Sequence, residues 1–265
     1  MKRTFLLVSA FLIFIVAGRA ARADEWKKDY PVSGKPELRL NTGDGSVEFM
    51  VWDRKQVSVS LYTEGWHIGG DGIRIEEHQS GDRVEVEVHT PHGDWFCLFC
   101  NRSIHVNVNL PRDANLDIHT GDGSIRGSRL HGNLYLNTGD GSIHVEDIDG
   151  EVSARSGDGG INVDGRFDAL KIETGDGSIH ADVNRGSKMV GAWYLHSGDG
   201  SIELRLPEDL SADVDAHTGD GSIHSDFTAL SQGSKHHNSL RGKLNGGGPT
   251  LELRTGDGSI QLRKN

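Results

Sequence analysis

Aromatic side chains, basic charge and helical periodicity are all scarce in this 265-residue chain. Aromatics make up only 6% while glycine occurs 36 times, an unusual balance for a compact globule. Beyond residue 23 no window repeats apolar residues at helical spacing, which excludes a helical bundle. Nor is any later segment apolar enough for the roughly 20-residue helix that spans a bilayer. With 28 Lys and Arg against 39 Asp and Glu, the formal charge is −11. Phosphate backbones and anionic lipid faces are therefore disfavoured, and nucleic-acid binding with them. The chain also has no G-x-S-x-G, P-loop or H-E-x-x-H, so the best-known hydrolase, nucleotide-binding and zinc-protease signatures are missing.

What is present begins with a leader. Met1–Ala23 carries Lys2 and Arg3, then the apolar run Phe5–Val16, and closes on Ala21-Arg22-Ala23 before Asp24. A basic start, a short apolar stretch and an A-x-A ending read as a secretory signal peptide. The mature chain, 24–265, is expected to be exported to the periplasm or cell surface, without a membrane span. Loss of Lys2, Arg3, Arg19 and Arg22 moves the formal charge from −11 to −15. That leaves enough chain for one domain.

The glycines are periodic. "TGDGSI" or a close variant occurs eight times, with its aspartate at Asp44, Asp122, Asp140, Asp158, Asp176, Asp199, Asp220 and Asp257. From Asp122 to Asp176 the steps are 18, 18 and 18 residues, and they then lengthen to 23, 21 and 37. Each unit holds two short alternating runs separated by tight turns. Alternation predicts strands with one buried face, and recurrence of one corner sequence predicts coils stacked on one another. The expected fold is all-β: a single parallel β-solenoid of about 18-residue coils, with longer irregular coils near both ends. Residues 24–118 read as the less regular part and 119–265 as the regular part. Ile125, Ile143, Ile161, Ile179, Ile202, Ile223 and Ile260 would form one buried ladder. Leu136, Ile172, Leu195 and Leu253 would form a second.

Alternation also turns Thr42, Thr120, Thr138, Thr174, Thr218 and Thr255 inward, with Ser156 and Ser197 in the other copies. The glycines and aspartate then read as corner chemistry, with positive φ at the turn and the aspartate closing an Asx hydrogen bond. A calcium ladder is the rival reading, since stacked carboxylates permit cations. The calcium-binding nonapeptide has a different pattern, however, and "DIDG" (Asp147, Asp149) is the best local candidate. Catalysis by this aspartate is disfavoured because an active site must break the repeat symmetry.

Irregular places carry the remaining candidates. Cys97 and Cys100 in "HGDWFCLFCN" are expected to form a local disulfide after export. A metal site with His89, His92 or His105 is the alternative. His119, His196 and His217 share one outward position, and His144, His180 and His224 another. His196 and His217, placed on adjacent coils, are a candidate transition-metal or pH-sensitive pair. Two long stretches, Val183–His196 and Ala229–Pro249, should project from the stack, the second with the basic "SKHHNSLRGK". Trp193, Tyr194, Trp66 and Trp95 either offer aromatic platforms to a glycan or fill the core.

Taken together, "LPRDANLDIHTGDGSI" (Leu110–Ile125), "LPEDLSADVDAHTGDGSI" (Leu206–Ile223) and "LNGGGPTLELRTGDGSI" (Leu244–Ile260) resemble a bacterial adhesin family of unknown function. The resemblance runs from about Pro36 to Arg263 and implies a β-solenoid without assigned catalytic residues. The expected function is a non-enzymatic envelope protein, an adhesin or scaffold that presents loops to an envelope protein or surface glycan, with no cofactor. The alternative is a periplasmic carbohydrate-active or metal-binding β-helix protein, with calcium or a transition metal as its ion.

Overall fold

The computed structural model describes residues 23–91, 102–231, 234–236 and 238–265. Strands follow in the order β1 (Ala23–Pro31), β2 (Glu37–Thr42), β3 (Ser46–Val51), β4 (Gln56–Glu64), β5 (Arg74–Ser80), β6 (Arg83–His89) and β7 (Ser103–Leu110). The middle of the chain gives β8 (Asn115–Thr120), β9 (Ile125–Ser128), β10 (His131–Thr138), β11 (Ile143–Ser156), β12 (Ile161–Thr174) and β13 (Ile179–Val183). Then come β14 (Trp193–Ser197), β15 (Ile202–Leu206), β16 (Ala212–Thr218) and β17 (Ile223–Ser225). A four-residue helix α1 (Thr228–Ser231) precedes β18 (Ser234–His236), β19 (Ser239–Leu244), β20 (Thr250–Thr255) and β21 (Ile260–Lys264).

Each motif joins a strand that enters the corner to one that leaves it, so the chain builds two ladders. The entry ladder runs β5-β6-β2-β8-β10-β11-β12-β14-β20-β16-β19-β18. The exit ladder runs β1-β4-β7-β3-β9-β11-β12-β13-β15-β21-β17. β11 and β12 are long enough to serve both, bending at register shifts after Val145 and Gly150. Inward rows of the two ladders meet in one buried cluster that contains every isoleucine and leucine of the two expected ladders. Alternation explains it: in β10, Leu134, Leu136 and Thr138 are buried while Tyr135 and Asn137 face out, as a pleated strand with one wet face requires.

The motif-bearing strands pair in parallel, with Thr120, Thr138, Ser156 and Thr174 in register on neighbouring strands. The ends differ from the expected single parallel stack. Five pairings are antiparallel: β1–β4, β4–β7, β5–β6, β16–β19 and β18–β19. An open parallel stack would leave rows of unpaired amides at both ends. Antiparallel strands cover the rows at three of the four ladder ends, while the exit ladder ends on β17, which pairs in parallel with β21. Glu37–Val51, read as part of the less regular region, forms an ordinary coil. The region read as regular is interrupted between Asp226 and Pro249.

Coil order also departs from chain order. Arg254 pairs with both His196 and His217, so the last coil lies between the Asp199 and Asp220 coils. The expectation that His196 and His217 occupy adjacent coils is therefore corrected: a whole strand separates them. The reason lies in the cap. β19 takes the outer edge of β16, so only the inner edge remains for β20. The other end mirrors this, with the Asp44 coil between β6–β7 and β8–β9. The two longest steps in the motif spacing, 78 residues from Asp44 to Asp122 and 37 from Asp220 to Asp257, thus hold the two caps.

Candidate functional site

The corners show which residues of the repeat do structural work. Each inward hydroxyl reaches across to the neighbouring coil. Thr138 Oγ1 donates to the Gly123 carbonyl at 2.8 Å, Ser156 Oγ to Gly141 at 2.8 Å and Thr174 Oγ1 to Gly159 at 2.9 Å. Two of these oxygens also accept from their own corners: Gly141 N–H donates to Thr138 at 3.2 Å and Gly159 N–H to Ser156 at 3.0 Å. The Thr138 and Ser156 hydroxyls thus both donate and accept at their corners. Thr42 is the exception, with no partner among the described residues.

Positive φ was expected in the Gly-Asp-Gly corner and is not found there. The second motif glycine is required for close approach instead: a Cβ on Gly141 would overlap the Gly123 carbonyl of the coil beside it. Left-handed backbone lies at the opposite corner, where Asp147 has φ 52° and Gly150 φ 145°. Asp44, Asp122, Asp140, Asp158, Asp176, Asp199, Asp220 and Asp257 are all exposed. Their carboxylates form no ion pair or hydrogen bond within the described residues. The threonine or serine hydroxyl fills the role expected of an aspartate Asx bond.

Two of the metal candidates are engaged elsewhere. Asp149 accepts from Arg166 Nε at 2.5 Å, while Arg166 also forks onto Asp168 at 2.7 and 2.9 Å. That fork holds the Asp168 carboxyl below its ordinary range. Asp147 is exposed, and its amide donates to Asp164. His196 Nε2 lies 3.4 Å from Glu252 and His217 is exposed. Cys97, Cys100, His92 and Trp95 lie outside the described residues. Trp193 is fully buried, its indole N–H 3.3 Å from the Asp168 carbonyl, so it fills the core. Trp66 is half-buried under the Arg102 guanidinium.

The outward face of the entry ladder is where exposed aromatics and polar groups converge. One row carries Asp117, Tyr135, Ser153, Lys171 and Tyr194 on consecutive strands; the next carries His119, Asn137, Arg155, Glu173 and His196. Tyr135 and Tyr194 are 51% and 39% exposed. Ser153, small between Tyr135 and Lys171, leaves a shallow depression of about 450 Å³. Charges at its rim hold each other: Lys171 to Glu173 at 3.1 Å, Arg155 to Glu173 at 3.6 Å and His119 to Asp117 at 2.7 Å. The Tyr135 and Ser153 hydroxyls have no protein partner among the described residues. A large aromatic in an outward row was the signal in the sequence; the small neighbour that makes it a notch is visible only once the register is known.

The Toastrack DUF4097 family model matches residues 36–191 and 186–263. This chain belongs to that family. No curated protein matches it. Among solved structures, a "putative adhesin" from Bacteroides fragilis is 12% identical, covering 91% of this chain and 97% of that one, with TM-score 0.50. That degree of likeness concerns the fold. A "putative cell adhesion protein" from Clostridium sporogenes is 15% identical (92% and 100% covered, TM-score 0.44). A "putative lipid binding protein" from Parabacteroides distasonis is 14% identical (91% and 98%, TM-score 0.44). Among the described residues of this Toastrack chain, no helix is long and apolar enough to cross a membrane.

Proposed function

We propose that this Toastrack protein is an exported, non-enzymatic surface protein, an adhesin or scaffold whose single β-solenoid of about 18-residue coils presents the outward entry-ladder face to a saccharide. The observation that carries this reading is the pair of exposed tyrosines flanking Ser153 and Lys171. An aromatic face covers the apolar side of a sugar ring while nearby hydroxyl and charged groups meet its hydroxyls. Strands hold these groups at fixed spacing, so little ordering cost falls on binding. The face replaces the projecting loops as the favoured surface, although Val190 at 79% exposure marks loop 184–192 as the place an envelope-protein partner would touch.

The enzymatic alternative has less support. A glycosidase needs one carboxyl raised to act as acid, whereas Arg166 holds Asp168, and Arg254 holds Asp215, below the ordinary carboxylate range. Export follows from the leader reading, and Cys97–Cys100 is proposed as a local disulfide of the exported chain. Thiol titration of the denatured, unreduced chain should find neither thiol free; two reactive thiols would refute it.

The test of the binding reading is a glycan microarray probed with residues 24–265, Tyr135→Ala and Tyr62→Ala. Retention on a defined subset, reduced about tenfold or more by Tyr135→Ala, which is about 1.4 kcal/mol, and unchanged by Tyr62→Ala, is expected. Equal retention of all three proteins, or none of the wild type, would overturn the proposal.

A further inference from the structure

At the first end of the entry ladder, Glu76 on β5 lies directly opposite Glu87 on β6, and Arg74 opposite His89. Like charges facing each other across antiparallel strands are destabilising unless something compensates them. Arg74 Nε donates to Glu76 Oε1 at 3.0 Å. Glu87 has no Lys or Arg partner among the described residues; its ion-pair neighbour is His89. The His89 side chain is 40% exposed, but its Nε2 is turned away from solvent and has no hydrogen-bond partner among the described residues. It lies 3.7 Å from Glu76 Oε1 and 3.6 Å from Glu87 Oε2, too far for hydrogen bonds.

We propose that Glu76, Glu87 and His89 bind a divalent transition-metal ion. Their three ligand atoms lie within 4.8 Å of one another. Donor atoms about 2.1 Å from a tetrahedral ion stand about 3.4 Å apart, so the two nitrogen–oxygen gaps need contract only by a few tenths of an ångström. The donor set chooses among ions. Calcium and magnesium take oxygen ligands, whereas an imidazole nitrogen beside two carboxylates suits zinc and its neighbours. Such an ion would neutralise the facing glutamates and satisfy the orphan nitrogen together. The ligands sit on paired strands, with β6 held in register by β2, so the site is pre-arranged. Three protein ligands leave a position open, and Glu87 and His89 also line a depression of about 580 Å³ beside Asp71. Glu87 lies in the same outward row as His119 and Asn137, three strands from β10, but the site shares no ligand with the Tyr135 depression and does not depend on the saccharide reading.

Calorimetric titration of zinc chloride into residues 24–265 tests the site. One equivalent should bind, with affinity reduced by more than about tenfold in His89→Asn and in Glu87→Gln; even loss of an outer-sphere partner costs about 10–100-fold at metal sites. Arg74→Ala, which removes the competing cation, should tighten binding or leave it intact. Cobalt substitution should give the visible ligand-field bands of a tetrahedral nitrogen and oxygen site without a thiolate charge-transfer band. Four results would overturn the proposal: no zinc uptake, uptake indifferent to both variants, uptake lost in Cys97→Ser/Cys100→Ser instead, or calcium binding as tightly as zinc.

Discussion

Replacing Thr138 by valine removes one oxygen and almost no volume, which isolates the corner hydroxyl from packing. Thr138 is 2% exposed, and its Oγ1 donates to Gly123 at 2.8 Å while accepting from Gly141 at 3.2 Å. Valine leaves a carbonyl and an amide unpaired at a buried corner, each costing about 1–3 kcal/mol. The expected loss is about 2–4 kcal/mol. A chain of this size shifts by about 2–4 °C per kcal/mol, so the melting temperature should fall by about 5–15 °C. Thr138→Ser should cost about 1 kcal/mol, because Ser156 and Ser197 already serve in the same column. Asp140→Asn should change stability by less than about 0.5 kcal/mol, as exposed substitutions do. Thermal unfolding followed by circular dichroism, with and without chelator, compares all four proteins. If Thr138→Val melts with wild type, the hydroxyl column is not what holds the corner. If Asp140→Asn is the weaker protein and chelator lowers wild type alone, the aspartate ladder binds calcium and the reasoning fails.

Gly141→Ala should cost about 3 kcal/mol or more, because its Cβ meets a backbone carbonyl that cannot step aside; a mild effect in urea unfolding would contradict close approach. A cysteine pair at His196 and Arg254 should oxidise to a disulfide, and a pair at His196 and His217 should not, since the first are neighbours and the second are two strands apart; the reverse would restore chain-order stacking. Acid should destabilise the fold. Arg254 holds Asp215 below its ordinary value of 3.8, and Arg166 does the same for Asp168. A lowered folded pKa stabilises above the ordinary value, and that contribution is lost as pH falls through the folded one. The melting temperature should therefore hold steady down to about pH 5 and fall below about pH 4, less steeply in Asp215→Asn; an unchanged acid slope in that variant would discard the Arg254 pairing as its source.

The repeat made the coil legible because burial in a strand has period two and the corner recurs with it. Leu134, Leu136 and Thr138 could be assigned inward from the residues alone. Local spacing could not supply coil order. Nothing between Asp220 and Asp257 says that β20 returns inside β16, because that choice depends on β19 occupying the outer edge. The corner was also read through the wrong property of glycine: turn propensity suggested positive φ, whereas a stacked coil needs the missing Cβ. Site residues were harder still. Glu76 meets Glu87 only through an antiparallel hairpin in the least repetitive part of the chain. Ser153 matters only because register puts it between Tyr135 and Lys171.

Hydroxyl-radical footprinting of residues 24–265, alone and with a saccharide retained on the array, tests the binding face most directly. The account predicts that oxidation of Tyr135 and Tyr194 falls on binding, because both stand exposed on the entry ladder. Met50 and Tyr62, exposed on the exit ladder, should oxidise as before. Protection of Met50 and Tyr62, with Tyr135 and Tyr194 unchanged, would place the ligand on the other ladder and contradict it.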